Sequence, residues 1–196
     1  MKNSKAIVQK PVIDCIKSFL SECDLPLDES IYLETGLNEG DSVQLALDLN
    51  FKKIISIEID KDAVDKANQR FKNEIIDSRV LLIQGDSQKK IIEIFDQNIN
   101  IIYLDAHGNS EISNDITFAP LENEIKFLVD RVNEKQIIII DDFLKVKNSF
   151  LFAHRHKSWK SKLPYKRFKE IISNKGLNTF EIFYNGTSNL LLTKNK

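Results

Sequence analysis

The stretch Glu34-Thr35-Gly36-Leu37-Asn38-Glu39-Gly40-Asp41-Ser42 decides the fold. It follows a short apolar run, Ile31-Tyr32-Leu33, and opens onto a helical pattern from Val43 to Leu49. An acid, two glycines four apart and a hydroxyl at a strand-to-helix turn make a tight loop beside a helix N-terminus. Glycine tolerates positive φ and lets backbone approach a neighbour closely. The first turn of a helix offers N–H groups that lack intrahelical partners. Neither the dinucleotide spacing G-x-G-x-x-G nor the phosphate loop G-x-x-x-x-G-K-[ST] is present. Taken alone, the loop also reads as a glycine-containing βα turn with no ligand.

Outward from this loop, strand and helix patterns alternate. Strand runs fall at 31–35, 53–59, 79–84, 100–105 and 136–141, with helical patterns at about 41–49, 61–73, 88–95 and 118–134. The uniformly apolar Ile137-Ile138-Ile139-Ile140 suits a strand buried on both faces of a parallel sheet. Two last runs, 178–184 and 189–194, flank Asn185-Gly186-Thr187-Ser188, which is turn chemistry for an antiparallel hairpin at an edge. Further helices are expected over Val8 to Glu22, with Pro11 as a point of interruption, and near Tyr165–Asn174, with Gly176 as C-cap. The sum predicts an α/β, Rossmann-like, doubly wound seven-stranded sheet, mostly parallel with an antiparallel C-terminal edge hairpin. It reads as a single domain over 1–196, with an N-terminal helical segment at 1–29. Such a sheet binds its ligand at the carboxyl ends of the strands.

With 196 residues, 42% hydrophobic and 29% charged, the chain suits one soluble globular domain. A net charge of −1 gives no general pull toward nucleic acid or membrane. Cys15 and Cys23 lack metal-type spacing and read as buried or half-buried thiols of a reducing compartment. Met1 to Lys5 lead into no apolar signal region, and no run reaches membrane length, so a cytoplasmic location is expected.

Several residues would converge on the rim of that sheet. The second strand ends Ile57-Glu58-Ile59-Asp60. An acid at this place accepts ribose hydroxyls in nucleotide-binding βαβ folds, which makes Glu58 the candidate, while Asp60 reads as a helix N-cap. Gly85-Asp86-Ser87-Gln88 would sit beside a base in the same crevice, or cap a helix. The candidate cofactor-binding set is therefore Glu34, Gly36, Gly40, Ser42, Glu58, Asp86, Ser87 and Gln88. It fits a zwitterionic nucleoside such as S-adenosylmethionine (SAM) better than a pyrophosphate.

The fourth strand ends Leu104-Asp105-Ala106-His107-Gly108 and the fifth Ile140-Asp141-Asp142-Phe143. If these strands are parallel neighbours, three carboxylates share one rim. Like charges that close call for a proton or a cation. Oxygen ligands favour Mg²⁺ or another hard divalent cation, so Asp105, Asp141 and Asp142 are the candidate metal ligands. Asp142 could instead cap the next segment, and Asp105 could hold the SAM amino group or the acceptor without metal. His107 titrates near neutrality and, with Asp105, is the candidate catalytic group.

These motifs resemble class I SAM-dependent methyltransferases, most closely the small metal-dependent catechol and macrocin types. The E-x-G-x-x-x-G-x-S loop is matched by Glu34, Gly36, Gly40 and Ser42, the I-E-I strand end by Ile57-Glu58-Ile59, and the G-A-S-Q turn approximately by Gly85-Asp86-Ser87-Gln88. The metal aspartates of that group are resembled by Asp105 and by Asp141-Asp142. The likeness spans about residues 30–145. It implies SAM as cofactor, a divalent cation, and methyl transfer to an oxygen of a small molecule or sugar. The lysine which that group carries three residues after its first metal aspartate is replaced here by Gly108, and its C-terminal substrate segment has no clear match, which makes catechol a poor substrate guess. A metal-independent RNA or protein methyltransferase and a non-catalytic SAM-binding domain are the rival readings.

Between Lys145 and Lys169 lie nine Lys or Arg and no acid, with His154, His156, Trp159 and Tyr165 among them. This basic segment, 145–170, is expected either to border the acceptor side, favouring an anionic or sugar-linked small molecule, or to be a solvated helix. Contact with RNA is the weaker expectation. Membrane partners are not expected, and a homodimer stays open.

Overall fold

A computed structural model describes residues 10–106, 120–147, 165–184 and 187–194. The elements run α1 (Lys10–Glu22), β1 (Ile31–Thr35), α2 (Asp41–Asp48), β2 (Lys53–Glu58), α3 (Lys61–Arg70), α4 (Lys72–Ile76), β3 (Val80–Gln84), α5 (Ser87–Ile94), β4 (Ile99–Leu104), α6 (Leu121–Leu128), β5 (Ile137–Ile140), α7 (Phe143–Lys147), α8 (Tyr165–Ile172), β6 (Leu177–Tyr184) and β7 (Thr187–Lys194). One seven-stranded sheet has the order β3-β2-β1-β4-β5-β7-β6. β1 to β5 pair in parallel, and β7 runs antiparallel to both β5 and β6. The expected fold class and edge hairpin are both present. The Asn185-Gly186 turn that suggested the hairpin lies outside the described residues.

Local chemistry explains the elements. Pro11 sits in the first turn of α1, where a missing N–H costs nothing, so the helix runs on without the expected interruption. Asp60 caps α3, its carboxylate accepting from Asp62 N at 2.9 Å. The helical pattern at 61–73 divides at Phe71 into α3 and α4. The one expected at 118–134 is shorter, because α6 ends at Leu128.

Strand residues alternate between two cores. On one face Leu33, Ile57, Leu104 and Ile140 meet Ile91 of α5, Leu121, Ile125 and Leu128 of α6, and Phe168 of α8. On the other, Tyr32, Ile54, Tyr103 and Ile139 meet Val12, Ile16 and Leu20 of α1, Val43 of α2 and Val64 of α3. The central strands are buried on both sides, as their apolar sequences require.

Candidate functional site at the carboxyl rim

Ladder bonding continues one residue past the parallel strands and brings the loops into register. Gly36 N donates to Ile57 O (2.9 Å), Asp105 N to Thr35 O (3.0 Å), Asp141 N to Leu104 O (3.0 Å) and Gly85 N to Glu58 O (2.8 Å). The rim therefore reads Gly85, Glu58, Gly36, Asp105, Asp141 in spatial order. These are turns that the sequence singled out separately.

Gly36 has φ +90°, and a Cβ there would lie 2.5 Å from Asp105 O and 3.0 Å from Ala106 N. The glycine is what lets the β1 turn lie against the backbone that leaves β4. Gly40, at φ 79°, forms the N-terminal boundary of α2 with no side-chain cap, so the first-turn N–H groups keep no cap from that residue.

Glu34 does not stand at the surface. It is fully buried, accepting from Ser56 Oγ (2.7 Å) and Tyr32 OH (3.2 Å). Burial pushes its carboxyl up to about 7, the hydroxyls of Ser42, Ser56 and Tyr32 pull it partly back, and Glu58 pushes it up again. Ser42 is buried beside it. Glu34 thus supports the loop from below.

Glu58 is taken up by backbone. Its Oε2 accepts from Leu37 N (2.9 Å) and Asn38 N (3.1 Å), and its Oε1 from Ile59 N (2.8 Å) and Asp60 N (2.9 Å). A carboxylate has about four lone-pair sites, so a ribose hydroxyl would have to share or displace one of these donors. Asp86 caps α5, accepting from Gln88 N at 3.1 Å. Ser87 is buried, and Gln88 accepts from Asn123 of α6.

The aspartates after β4 and β5 have specific partners in the hairpin. Tyr184 OH donates to Asp141 Oδ1 (3.2 Å), and Thr187 Oγ1 donates to Asp142 Oδ1 (2.8 Å). With its amide turned so that Nδ2 faces Asp141, Asn189 donates to Asp141 Oδ1 at 2.7 Å. Asn189 also meets Tyr184 OH, and Tyr103 OH at 3.4 Å. Burial, then the charges of Asp141 and Asp105, drives the Tyr103 phenol well above its ordinary range. Burial and Asp141 raise Tyr184 likewise. Asp142 takes a left-handed backbone, φ 48°, and its carboxylate goes to β7. Among the described residues no group of three or more His, Cys, Asp or Glu is placed to hold a metal ion. The expected cation site of Asp105, Asp141 and Asp142 is therefore not supported. Two of these carboxylates, Asp141 and Asp142, accept hydrogen bonds from the hairpin. His107 lies outside the described residues, as do His154, His156 and Trp159.

Tyr184, Thr187 and Asn189 were missed from sequence. The signal for Thr187 and Asn189 was the polar start of β7, since an antiparallel strand beside β5 puts its first residues at the carboxyl rim, and Tyr184 ends β6 opposite Thr187. Glu124 was missed as well. It interrupts the apolar stripe Leu121, Ile125, Leu128 of α6 and is buried.

No protein-family model and no curated protein matches this chain. Solved structures do. An SAH-bound methyltransferase of Podospora anserina, PaMTH1, shares 13% identity over 100% of this chain and 83% of its own, with TM-score 0.70. An O-methyltransferase of Bacillus cereus in complex with SAH shares 12% identity over 97% and 83%, with TM-score 0.65. The O-methyltransferase TomG of Streptomyces achromogenes, in complex with SAM, shares 11% identity over 98% and 93%, with TM-score 0.63. At these identities the likeness is one of fold: this chain has the seven-stranded Rossmann-like architecture of those methyltransferases. No described helix is long and apolar enough to cross a membrane.

Proposed function

We propose that this chain is a SAM-dependent methyltransferase acting on an oxygen of a small acceptor. The observation that carries the reading is the close approach of Gly36 to the Asp105 backbone at the rim, with the α2 start that follows lacking a side-chain cap, in a fold shared with SAM- and SAH-bound methyltransferases. The close approach of the two turns and the acids Glu58, Asp86 and Asp105 around them fit a cationic nucleoside. SAM would supply an electrophilic methyl group on a sulfonium.

The chain's own part is to bind and align. Gly36, Gly40 and the start of α2 would receive the amino-acid end, Glu58 the ribose, and Asp86 with Ser87 and Gln88 the base. Glu34 and Ser42 hold that loop from beneath. Alignment of the reacting atoms is worth up to ~7–11 kcal/mol of barrier. Asp105 would orient the acceptor hydroxyl and take its proton, with His107 the other candidate for that role. Asp141, held by Tyr184 and Asn189, would wall the acceptor side. Among the described residues no group of three His, Cys, Asp or Glu is placed to hold a divalent cation.

Calorimetry with SAH tests the cofactor part: a saturable binding heat is expected, and no heat at any ratio would end the reading. Asp105→Ala should lower SAH release with a competent acceptor about 100-fold or more. Its SAH affinity should stay within about threefold, since only the acceptor proton is lost. Parallel loss of both would contradict that division. Incubation with EDTA should leave turnover unchanged, and restoration of a chelated enzyme by Mg²⁺ would bring the metal back.

A further inference from the structure

We propose that Glu124 is a positioning residue for the cofactor crevice: its buried carboxyl, set between Thr35 at the end of β1 and Ser87 at the start of α5, fixes the spacing of the two turns that would hold the nucleoside. The inference rests on reading that crevice as a SAM site.

Three observations converge. Glu124 is 1% exposed and Thr35 fully buried, on the sheet face opposite Glu34. The hydroxyls of Ser87 and Thr35 lie near enough to lower its pKa. Their geometry is loose, however: Glu124 Oε1 and Thr35 Oγ1 both lack a well-formed hydrogen bond. Buried polar atoms without partners are uncommon and call for a reason. A proton on Oε1, donated to Thr35 Oγ1, would satisfy both atoms with one bond.

Burial, with Asp86 adding its charge, pushes the Glu124 carboxyl up to about 7. In its neutral form Glu124 bridges β1 and α5. Ionised, it repels the Asp86 carboxylate that caps α5, and so disturbs the turn expected beside the base. Other groups around it are accounted for. From α5 come Ser87, Asp86 and Gln88, the last tied to Asn123, and from β1 comes Thr35. On its own helix Glu122 pairs with Lys126 and, from α8, Arg167.

The test is SAH titration by calorimetry from pH 6 to 8.5 on the intact chain, with wild type, Glu124→Gln, Glu124→Ala and Thr35→Val. Wild-type affinity should weaken about tenfold as pH rises through 7, because the ionised form disfavours the bound arrangement. Glu124→Gln, a neutral isostere, should keep the low-pH affinity and flatten the profile. Glu124→Ala should bind weakly throughout, and Thr35→Val should lose part of the pH dependence. A wild-type profile flat across the range, or one that Glu124→Gln reproduces, overturns the positioning role while leaving the SAM reading intact. Absence of SAH heat in wild type overturns both.

Discussion

Gly36→Ala is expected to remove SAH binding from the calorimeter and to lower the thermal midpoint. At φ +90° an L side chain is strained, and the new Cβ would stand 2.5 Å from Asp105 O, 2.8 Å from Asp105 C and 3.0 Å from Ala106 N. All three are backbone atoms, so no side chain can swing aside. Neither strand end is free to give. Gly36 N is bonded to Ile57 O and Asp105 N to Thr35 O, and relief of the overlap breaks one of those bonds. Backbone strain of ~1–3 kcal/mol and a lost ladder bond of ~1 kcal/mol together reach roughly 2–4 kcal/mol. If that falls on the binding-competent state, affinity drops about 30- to 1000-fold. Two glycines serve as comparisons. At Gly40 a Cβ meets the Phe71 ring at 2.8 Å, a side chain that can shift. At Gly176, φ +62°, nothing lies within 4 Å, and only conformational strain of ~1 kcal/mol is expected there. A Gly36→Ala chain that binds SAH as wild type does would show that the β1 turn is not the cofactor seat.

The fold was legible because its signals are repetitive. Continuous isoleucine in β5, glycine at the β1 turn and the hairpin residues before β7 each specify one element, and the alternation specifies their assembly. The site was legible only for residues in loops. Gly36 was assigned from backbone chemistry, which depends on neighbours in sequence. Glu34 and Glu58 were identified as rim acids, but their partners could not be. Ser56 reaches Glu34 through strand register, and two of the four donors to Glu58, Leu37 N and Asn38 N, come from a loop about twenty residues earlier. The three aspartates looked like one cation site because strand order places their backbones together. The sequence did not show their hairpin partners: Asp141 and Asp142 accept from β6 and β7, more than forty residues later. Such long-range donors leave no trace in local spacing.

The buried acids make a second large effect, read in stability with no ligand at all. Glu34 and Glu124 lie on opposite faces of the sheet, and each has its carboxyl raised from 4.5 to about 7, chiefly by burial. Below pH 4.5 both groups are neutral folded and unfolded, and neither alters the balance. Between 4.5 and about 7 the unfolded chain releases these protons while the folded chain retains them, so the unfolded state gains and stability falls as pH rises. Above about 7 the loss is complete and stays constant. At about 1.4 kcal/mol per unit of pKa, each site contributes on the order of 3 kcal/mol. For a chain of this size that corresponds to a fall of roughly 10–20 °C in Tm across the window for the pair. Glu34→Gln and Glu124→Gln should each remove about half of the slope and raise Tm at pH 8, because a neutral amide needs no desolvation of charge and the hydroxyls of Tyr32, Ser42 and Ser56 can rotate to accept from it. Thermal unfolding of the ligand-free chain at pH 5, 6, 7 and 8 measures this directly. A midpoint flat from pH 5 to 8 in wild type, or a full slope surviving in the double glutamine variant, would mean that both carboxyls ionise inside the fold, and the hydroxyls around Glu34 would then be solvating a charge.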